Sequence, residues 1–567
     1  MERHPAAQDL VERLELGLRR GAGVLIEEEH EVVGRALALS EGALLGLARL
    51  SGRRTTAWRL PELSLPGVEA PEGALEELEV AGLATRAVAW GDRLAHATRP
   101  VLQAGCRRLG LGVGGAREAL VERLRDAEGW DDAPWVTLTC APLLLRVERM
   151  ATLRLWPDRS VEVLERLGVR RWATYTPCGS GLAPSREAWL AWEAMVDGLD
   201  GLDVPALMAA LDLPWWPPGG LDLRHDVARR VGDLAAAAER AGAHADAAVA
   251  WTALVDRGWW LEGEAPLRLA RLHERAGRAQ EGLALLRRVH GATAPAVRRS
   301  VERGAAALAR RSRLGWAPSP PLREARARWL RWQPVGAEGP RPRWAAAGSV
   351  GTVEHVAIRV LAAAGRVALD AEGALWRTVV SLLLADAMFV PVPGMLPVPH
   401  LSGPLDAGTP AFAAARPVEV AAIREAVRRG EAPARVAAAW DRWEGTRLRG
   451  VSWEAWPRDV LVAVVAAAGP GLVGAVLDQC LTHGDRVTAG MPDLVVLPGP
   501  EVRLEGGWPA RVGPGLLFVE VKGPTDAVRD AQAVWHDLLA AAGAAVELWW
   551  VEASGPEQRA EQAEQLA

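Results

Sequence analysis

Hydrophobic periodicity divides the chain into two regimes. Over roughly the first two thirds, apolar residues recur at spacings of three and four, which predicts amphipathic helices. Residues 99–125, RPVLQAGCRRLGLGVGGAREALVERLR, read as two short helices around a Gly-Leu-Gly turn. Val101, Leu102 and Leu109 give the first an apolar side, and Ala119, Leu120, Val121 and Leu124 give the second its own. Farther on, LAAAAERAG (234–242) and LARLHERAG (269–277) align with an offset of 35 residues, the length of a helix-pair repeat. Beyond residue 350 the pattern changes. Residues 352–365 and 372–389 read as helices, followed by strand-like runs at 493–497, 516–521 and 546–551, with a helical pattern at 527–542 between the last two. Helix, strand, strand, helix, strand implies an α/β arrangement with a mixed sheet.

These patterns predict a multidomain chain, mostly α-helical in its N-terminal two thirds and α/β at its C-terminal end. The divisions fall at 1–95 (helical, acidic surface, no readable role), 96–128 (the helical hairpin), 129–225 (a helical connection) and 226–317 (tetratricopeptide-like helical repeats). Residues 318–349 follow as a basic linker rich in proline and arginine, then 350–553 as the α/β domain and 554–567 as a tail.

Composition narrows the function. Half of the 567 residues are apolar, no apolar run reaches membrane-span length, and the charged N-terminus lacks a signal-peptide core. The expectation is a soluble cytoplasmic protein with no membrane partner. Cys106, Cys140, Cys178 and Cys480 stand far apart without a CxxC pair, which argues for reduced core thiols and against a disulfide framework or zinc knuckle. No GxxxxGK[ST] loop exists, so no nucleotide cofactor is expected. The net charge of −5 hides an asymmetry: from Arg298 to Arg343 twelve arginines face three glutamates, with Trp316, Trp329, Trp332 and Trp344 interleaved. Such a mixture either tracks a phosphate backbone and stacks on bases, or is a solvated helix face plus linker. Arginine fills nearly every cationic position, and Lys522 is the only lysine. Arginine cannot supply a compact, titratable ammonium, so a lone lysine points to chemistry.

That chemistry is legible in GMPDLVVL (490–497) and LLFVEVKGP (516–524). On a strand, residues two apart share a face, so Glu520 and Lys522 project together while Val521 turns to the core. Pairing this strand with the one that Asp493 opens gathers two carboxylates and an ammonium at one sheet end. Paired carboxylates suit a hard divalent cation, Mg2+ or Mn2+, and the ammonium can orient an attacking water or offset charge on phosphorus oxygens. The set suits phosphodiester hydrolysis. A capping Asp493 beside a surface Glu520–Lys522 pair is the bland alternative, awkward for charges inside an apolar strand.

GMPDLVVL, FVEVKGPTD, QAVW (532–535) and the closing apolar strand resemble the VRR-NUC type of PD-(D/E)XK nuclease. The upstream blocks EGALWRTVVSLLLADAMFVPVPG (372–394) and GPLDAGTPAF (403–412) extend the likeness to the Fanconi-associated nuclease family, particularly its bacterial single-chain forms. The hairpin at 96–128 resembles a SAP-type DNA-binding element, although a plain helical pair fits it equally. The resemblance implies a restriction-endonuclease-like fold and structure-selective cleavage near 5′ flaps and branched ends, with 5′-to-3′ trimming, in crosslink repair. It implies that Asp493, Glu520 and Glu372 bind the metal with the Val521 carbonyl, that Lys522 positions the nucleophilic water, and that Asp526 and Gln532 help to orient the site. Arg107, Arg108, Arg117, Arg323 and Arg326 become candidate DNA contacts. Two other readings stand beside it: a junction resolvase or restriction-like endonuclease, which an obligate dimer would favour, and a non-catalytic scaffold for branched DNA. The sequence leaves the oligomeric state open.

Overall fold

The computed structural model describes residues 4–554 except 54, 128, 153–167, 178–182, 214–215, 217–220, 260, 292–294, 318–320, 339–340, 398–399, 500–501, 504–508 and 511–514. Cys178 and all but the first residue of the 554–567 tail lie outside the described residues. The chain is mostly helical and divides into two compact units, one built chiefly from residues 1–198 and the other from 221–396 and 401–567.

In the first unit, short strands β1 (Ala57–Arg59), β2 (Ala84–Thr85) and β3 (Trp135–Leu138) form an antiparallel sheet in the order β1-β3-β2. The predicted divisions at 95 and 129 therefore cut through one sheet, because strands of two to four residues are too short to show a period. Between β2 and β3 lie α1 (Arg99–Arg108) and α2 (Arg117–Leu124). Their apolar residues Val101, Leu102, Leu120 and Leu124 share one core with Ala57, Val88, Leu94 and Trp135, so this hairpin has no core of its own. Leu109, expected on the apolar side, sits past the end of α1 and is 43% exposed.

The second unit opens with α3 (Leu221–Arg240), α4 (His244–Asp256), α5 (Glu264–Arg275), α6 (Ala279–His290) and α7 (Pro295–Ser312), each packed on the next. The two copies of the sequence repeat occupy equivalent places, the ends of α3 and α5. Gly242 and Gly277 take positive φ (82° and 75°) at the turns that follow, a conformation open to glycine at little cost.

Residues 326–351 correct the linker expectation. They form β4 (Arg326–Glu338), β5 (Arg341–Ala346) and β6 (Ser349–Gly351), which extend the sheet of the C-terminal region. The period of two is present: Arg328, Leu330 and Trp332 are buried while Trp329, Arg331 and Gln333 are exposed. An arginine in an inward position hides the pattern. After α8 (Val353–Ala363), β7 (Ala368–Asp370) and α9 (Ala374–Met388) come α10 (Ala432–Trp443) and α11 (Arg458–His483), then β8 (Leu494–Val496), β9 (Leu517–Lys522), α12 (Asp530–Ala541) and β10 (Ala545–Ala553). The seven-stranded sheet runs β6-β5-β4-β10-β9-β8-β7. β10 is parallel to both β4 and β9, and the remaining pairs are antiparallel, so the sheet is mixed as expected.

Its two faces bury different sets. Leu517, Val519, Val521, Trp549 and Val551 join Leu330 and Trp332 beneath α8, while Phe518, Val495 and Val546 pack with α9, α10, α11 and Trp535 of α12. Helix α11 qualifies the expectation that nothing approaches a membrane span: by length and hydropathy it could cross a bilayer. Gly469 (φ 70°, ψ 169°) and Pro470 break it into two shorter pieces, and Leu461, Val464, Val473, Val476 and Leu477 are core residues of this unit.

Candidate active site

Strand parity and register place the chemistry. Val519 and Val521 of β9 point to the α8 side, so Phe518, Glu520 and Lys522 point to the other. Asp493, immediately before β8, shares the parity of Val495 and so faces the same way. Its Oδ2 accepts the Val521 N–H at 2.8 Å, which fixes the carboxylate across the end of β9. The Asp493 carbonyl accepts N–H groups from Ala371 (2.8 Å) and Glu372 (3.3 Å), tying the start of α9 to the same point. Glu372 adopts φ 28°, a left-handed conformation unfavourable for a side chain with a Cβ. Next to it, Gly373 has φ 73°, and a Cβ there would lie 2.1 Å from the Thr488 carbonyl oxygen. Only glycine lets this turn close against residues 485–490, and Trp535 of α12 holds the same segment through its Nε1–H to the Val487 carbonyl (2.6 Å).

Glu520 is fully buried. Its Oε1 accepts from Lys522 Nζ at 2.5 Å and from Gln532 Nε2, while Oε2 is buried with no hydrogen-bond partner. Gln532 is itself oriented, because the Arg529 N–H donates to its Oε1 at 2.9 Å and leaves the amide nitrogen facing Glu520. Burial, reinforced by the neighbouring Asp493 charge and opposed by Lys522, pushes the Glu520 carboxyl up to about 8. Burial likewise lifts Asp493 to about 6, against the Val521 N–H and Lys522, with Glu354 and Glu372 adding repulsion. Asp370 is raised by burial and by the charges of Glu372 and Glu354.

One ammonium thus stands among several carboxylates, and a buried carboxylate oxygen lacks any donor. An all-oxygen donor set with that deficit fits a hard divalent cation. Asp493 and Glu520 are adjacent, whereas Glu372 is exposed at their edge. Among the described residues no three His, Cys, Asp or Glu side chains stand together at metal-ligating distance, so Glu372 would have to turn inward to complete a ligand set.

The remaining sequence candidates separate clearly. Gln532 meets Glu520. Asp526 does not: it is exposed, and its Oδ2 accepts the Gly523 N–H at 2.8 Å, bracing the turn after β9. The Val521 side chain is in the core and its N–H is committed to Asp493. In the first unit Arg107 is exposed, Arg108 binds the Trp130 carbonyl and Asp132, and Arg117 donates to the carbonyls of Leu94, Ala95 and Ala97. Arg117 therefore braces the chain entering α1 and is not a free phosphate ligand. Arg323 and Arg326 are exposed, the first anchored by its backbone N–H to Asp537 of α12 at 2.8 Å.

Sequence reasoning missed Glu354, on α8, and Asp370, on β7, which only the tertiary fold brings into electrostatic range. It set His536 aside, since no metal-ligand spacing such as HExxH surrounds it. That ring is buried one helical turn after Gln532, its Nε2 has no partner, and burial together with Lys522 pulls it down to about 4. The spacing of Gln532 and His536 on one helix face was the available signal.

Comparison with known proteins bears on the same region. The VRR-NUC domain family model matches residues 428–553. The chain is 32% identical over 181 residues to a Fanconi-associated nuclease 1 homolog of Arabidopsis thaliana, covering 32% of this chain and 19% of that protein. It is 30% identical over 177 residues to the Oryza sativa subsp. japonica homolog (31% and 18%), and 30% identical over 215 residues to Fanconi-associated nuclease 1 of Ailuropoda melanoleuca (37% and 20%). The chain thus spans about a fifth of the length of these curated relatives. The crystal structure of paFAN1 bound to 2nt 5′-flap DNA with gap superposes with a TM-score of 0.80 at 21% identity, covering 97% of this chain and 98% of that one. A nuclease domain of the PD-(D/E)XK type implies dependence on a divalent metal. Residues 428–553 thus match the VRR-NUC domain model, part of the chain is similar in sequence to Fanconi-associated nucleases, and the chain shares the overall fold of paFAN1.

Proposed function

We propose that the chain is a metal-dependent DNA nuclease, a structure-selective 5′-flap endonuclease with 5′-to-3′ exonuclease activity, acting in DNA repair and on interstrand crosslinks in particular. The observation that carries this reading is the buried, partnerless Oε2 of Glu520 beside Lys522 and Asp493 on one sheet face. The VRR-NUC match supports it, as does the flap DNA bound by paFAN1.

Asp493, Glu520 and Glu372, with the Val521 carbonyl, would hold Mg2+ or Mn2+. When bound, such an ion lowers the pKa of water and offsets charge on phosphoryl oxygens. The protein's own groups do the positioning. Lys522, held against Glu520 Oε1, presents N–H donors to the nucleophilic water and to oxygens that gain charge as phosphorus is attacked. Gln532 keeps Glu520 from swinging toward Lys522 alone, and the Val521 N–H fixes Asp493. The dry face under α12 strengthens each of these interactions.

The test is cleavage of end-labelled 5′-flap, 3′-flap and plain duplex DNA with Mg2+, Mn2+ or EDTA, with Asp493→Ala in parallel. Metal-dependent cutting that prefers the 5′ flap and disappears in the variant is the expected result. Tight binding to branched DNA without cutting would instead establish a scaffold.

A further inference from the structure

Trp329 is 55% exposed, an unusual position for an indole on the inner part of a sheet, and it stacks on half-buried Trp550 with ring centroids 5.6 Å apart and planes inclined by 18°. Register explains their neighbourhood. Lys522 of β9 is paired with Trp550 of β10, which is paired with Trp329 of β4. Paired residues on adjacent strands point to the same face, so the three side chains form one rank across the sheet. At about 4.8 Å per strand, the Trp329 backbone lies about 10 Å from that of Lys522. The rank begins at the carboxyl end of β9, where open α/β sheets bind ligands, and crosses the carboxyl half of its parallel neighbour β10.

Cross-strand packing accounts for half-buried Trp550 but leaves the outer face of Trp329 in water. The next rank, Arg331 beside Glu552, is exposed and polar, and the preceding one offers only half-buried Leu548 and exposed Ala327, so the flat aromatic surface is a single ring. That area is too small for a protein partner. It matches one planar heterocycle. The basic, tryptophan-bearing stretch noted in the sequence is thereby resolved: Trp332 and Trp344 are core residues, and Trp329 faces outward beside the lysine.

We infer that the Trp329–Trp550 pair is a stacking platform for an unpaired nucleobase of the DNA strand whose phosphate lies at Lys522. The inference rests on the nuclease reading and adds to it a base-binding position that serves single-stranded DNA. Stacking on an indole is sequence-tolerant because every base has a π face, so the platform selects for an unpaired base without reading its identity. A base within a duplex is stacked on its neighbours and cannot use it.

The experiment places 2-aminopurine at each unpaired position of a 5′-flap substrate and measures its fluorescence in EDTA with wild type, Trp329→Ala and Trp329→Phe. Cleavage of the same flap in Mg2+ is followed in parallel. Wild type and Trp329→Phe are expected to quench the probe at one or two positions near the cleavage point, and Trp329→Ala to lose the quenching. Flap affinity should fall about 5- to 150-fold in Trp329→Ala, with affinity for blunt duplex unchanged and an unaltered thermal unfolding curve. A Trp329→Ala protein that quenches and binds like a cleaving wild type overturns the platform and leaves the nuclease reading intact. A wild type that binds no DNA overturns both.

Discussion

Two buried ion pairs lie on neighbouring strands of the same sheet, on opposite faces, and their chemistry diverges. Arg328 of β4 meets Glu547 of β10 with both contacts at 2.5 Å (Nε to Oε2 and Nη2 to Oε1), and Trp549 Nε1 adds a third bond to Oε2 at 2.9 Å. Both carboxylate oxygens are satisfied. Lys522 and Glu520 of β9 are as close, but every donor falls on Oε1, and Oε2 has none. At its carboxylate the first pair is complete and holds strands together. The second is desolvated and incomplete, an arrangement that a protein keeps where something else must bind. Completeness of hydrogen bonding at the carboxylate, more than burial, separates the structural pair from the reactive one.

Breaking the closed pair should have the largest effect. Arg328→Ala strands the Glu547 carboxylate in the core and should cost about 3–5 kcal/mol. Replacing both partners, Arg328→Met with Glu547→Leu, should recover most of it. Urea denaturation of the two variants decides the matter, and equal losses in both would sink the contrast. On the open pair, Lys522→Ala should cut single-turnover flap cleavage by about 10²–10³-fold while sparing DNA affinity. Lys522→Arg should fare no better, because a guanidinium cannot replace a compact ammonium there. Gln532→Ala should slow cleavage by roughly 10-fold through misorientation of Glu520. Asp526→Ala, which loosens only a turn, should leave the rate near wild type; a Gln532-sized loss there would reverse the two assignments.

The smallest effect concerns pH. Glu520 is lifted from 4.5 to about 8 and Asp493 from 3.8 to about 6, so the folded, metal-free chain holds protons that the unfolded chain has released. Their contribution to stability is fully present below the unfolded values and is lost as pH rises through about 6 and then about 8. In EDTA, Tm should therefore fall from about pH 6.5 to pH 8, above the range in which depressed His536 contributes the opposite slope. Glu520→Gln should flatten that slope, and Mg2+ should offset it by taking the place of the protons. A Tm that climbs over this range in EDTA would contradict the buried-carboxylate picture.

Much of the site was legible because strands advertise themselves in steps of two. Asp493, Glu520 and Lys522 could be placed on one face from VEVK and PDLVV alone, whereas Gln532 was pointed to by the family resemblance. Glu372 was different. Its place depends on a left-handed turn and a glycine pressed against Thr488, and only the family resemblance pointed to it. Glu354 and Asp370 come from other elements and carry no local mark. The strand at 326–338 was hidden for a chemical reason: Arg328 occupies an inward position that reads as polar until its partner, 219 residues away, is known.

That separation has a consequence for synthesis. β4 lies between β5 and β10, and its parallel neighbour is the last described strand of the chain. A ribosome working at about 5–20 residues per second takes on the order of ten to forty seconds to travel from Arg328 to Glu547. Throughout that interval one side of β4 has no strand to pair with, and Lys522 has no neighbouring rank. The helical repeats, built from local contacts, fold well before then. A nascent chain can thus acquire its scaffold early, while its active site stays unassembled until β10 has been made.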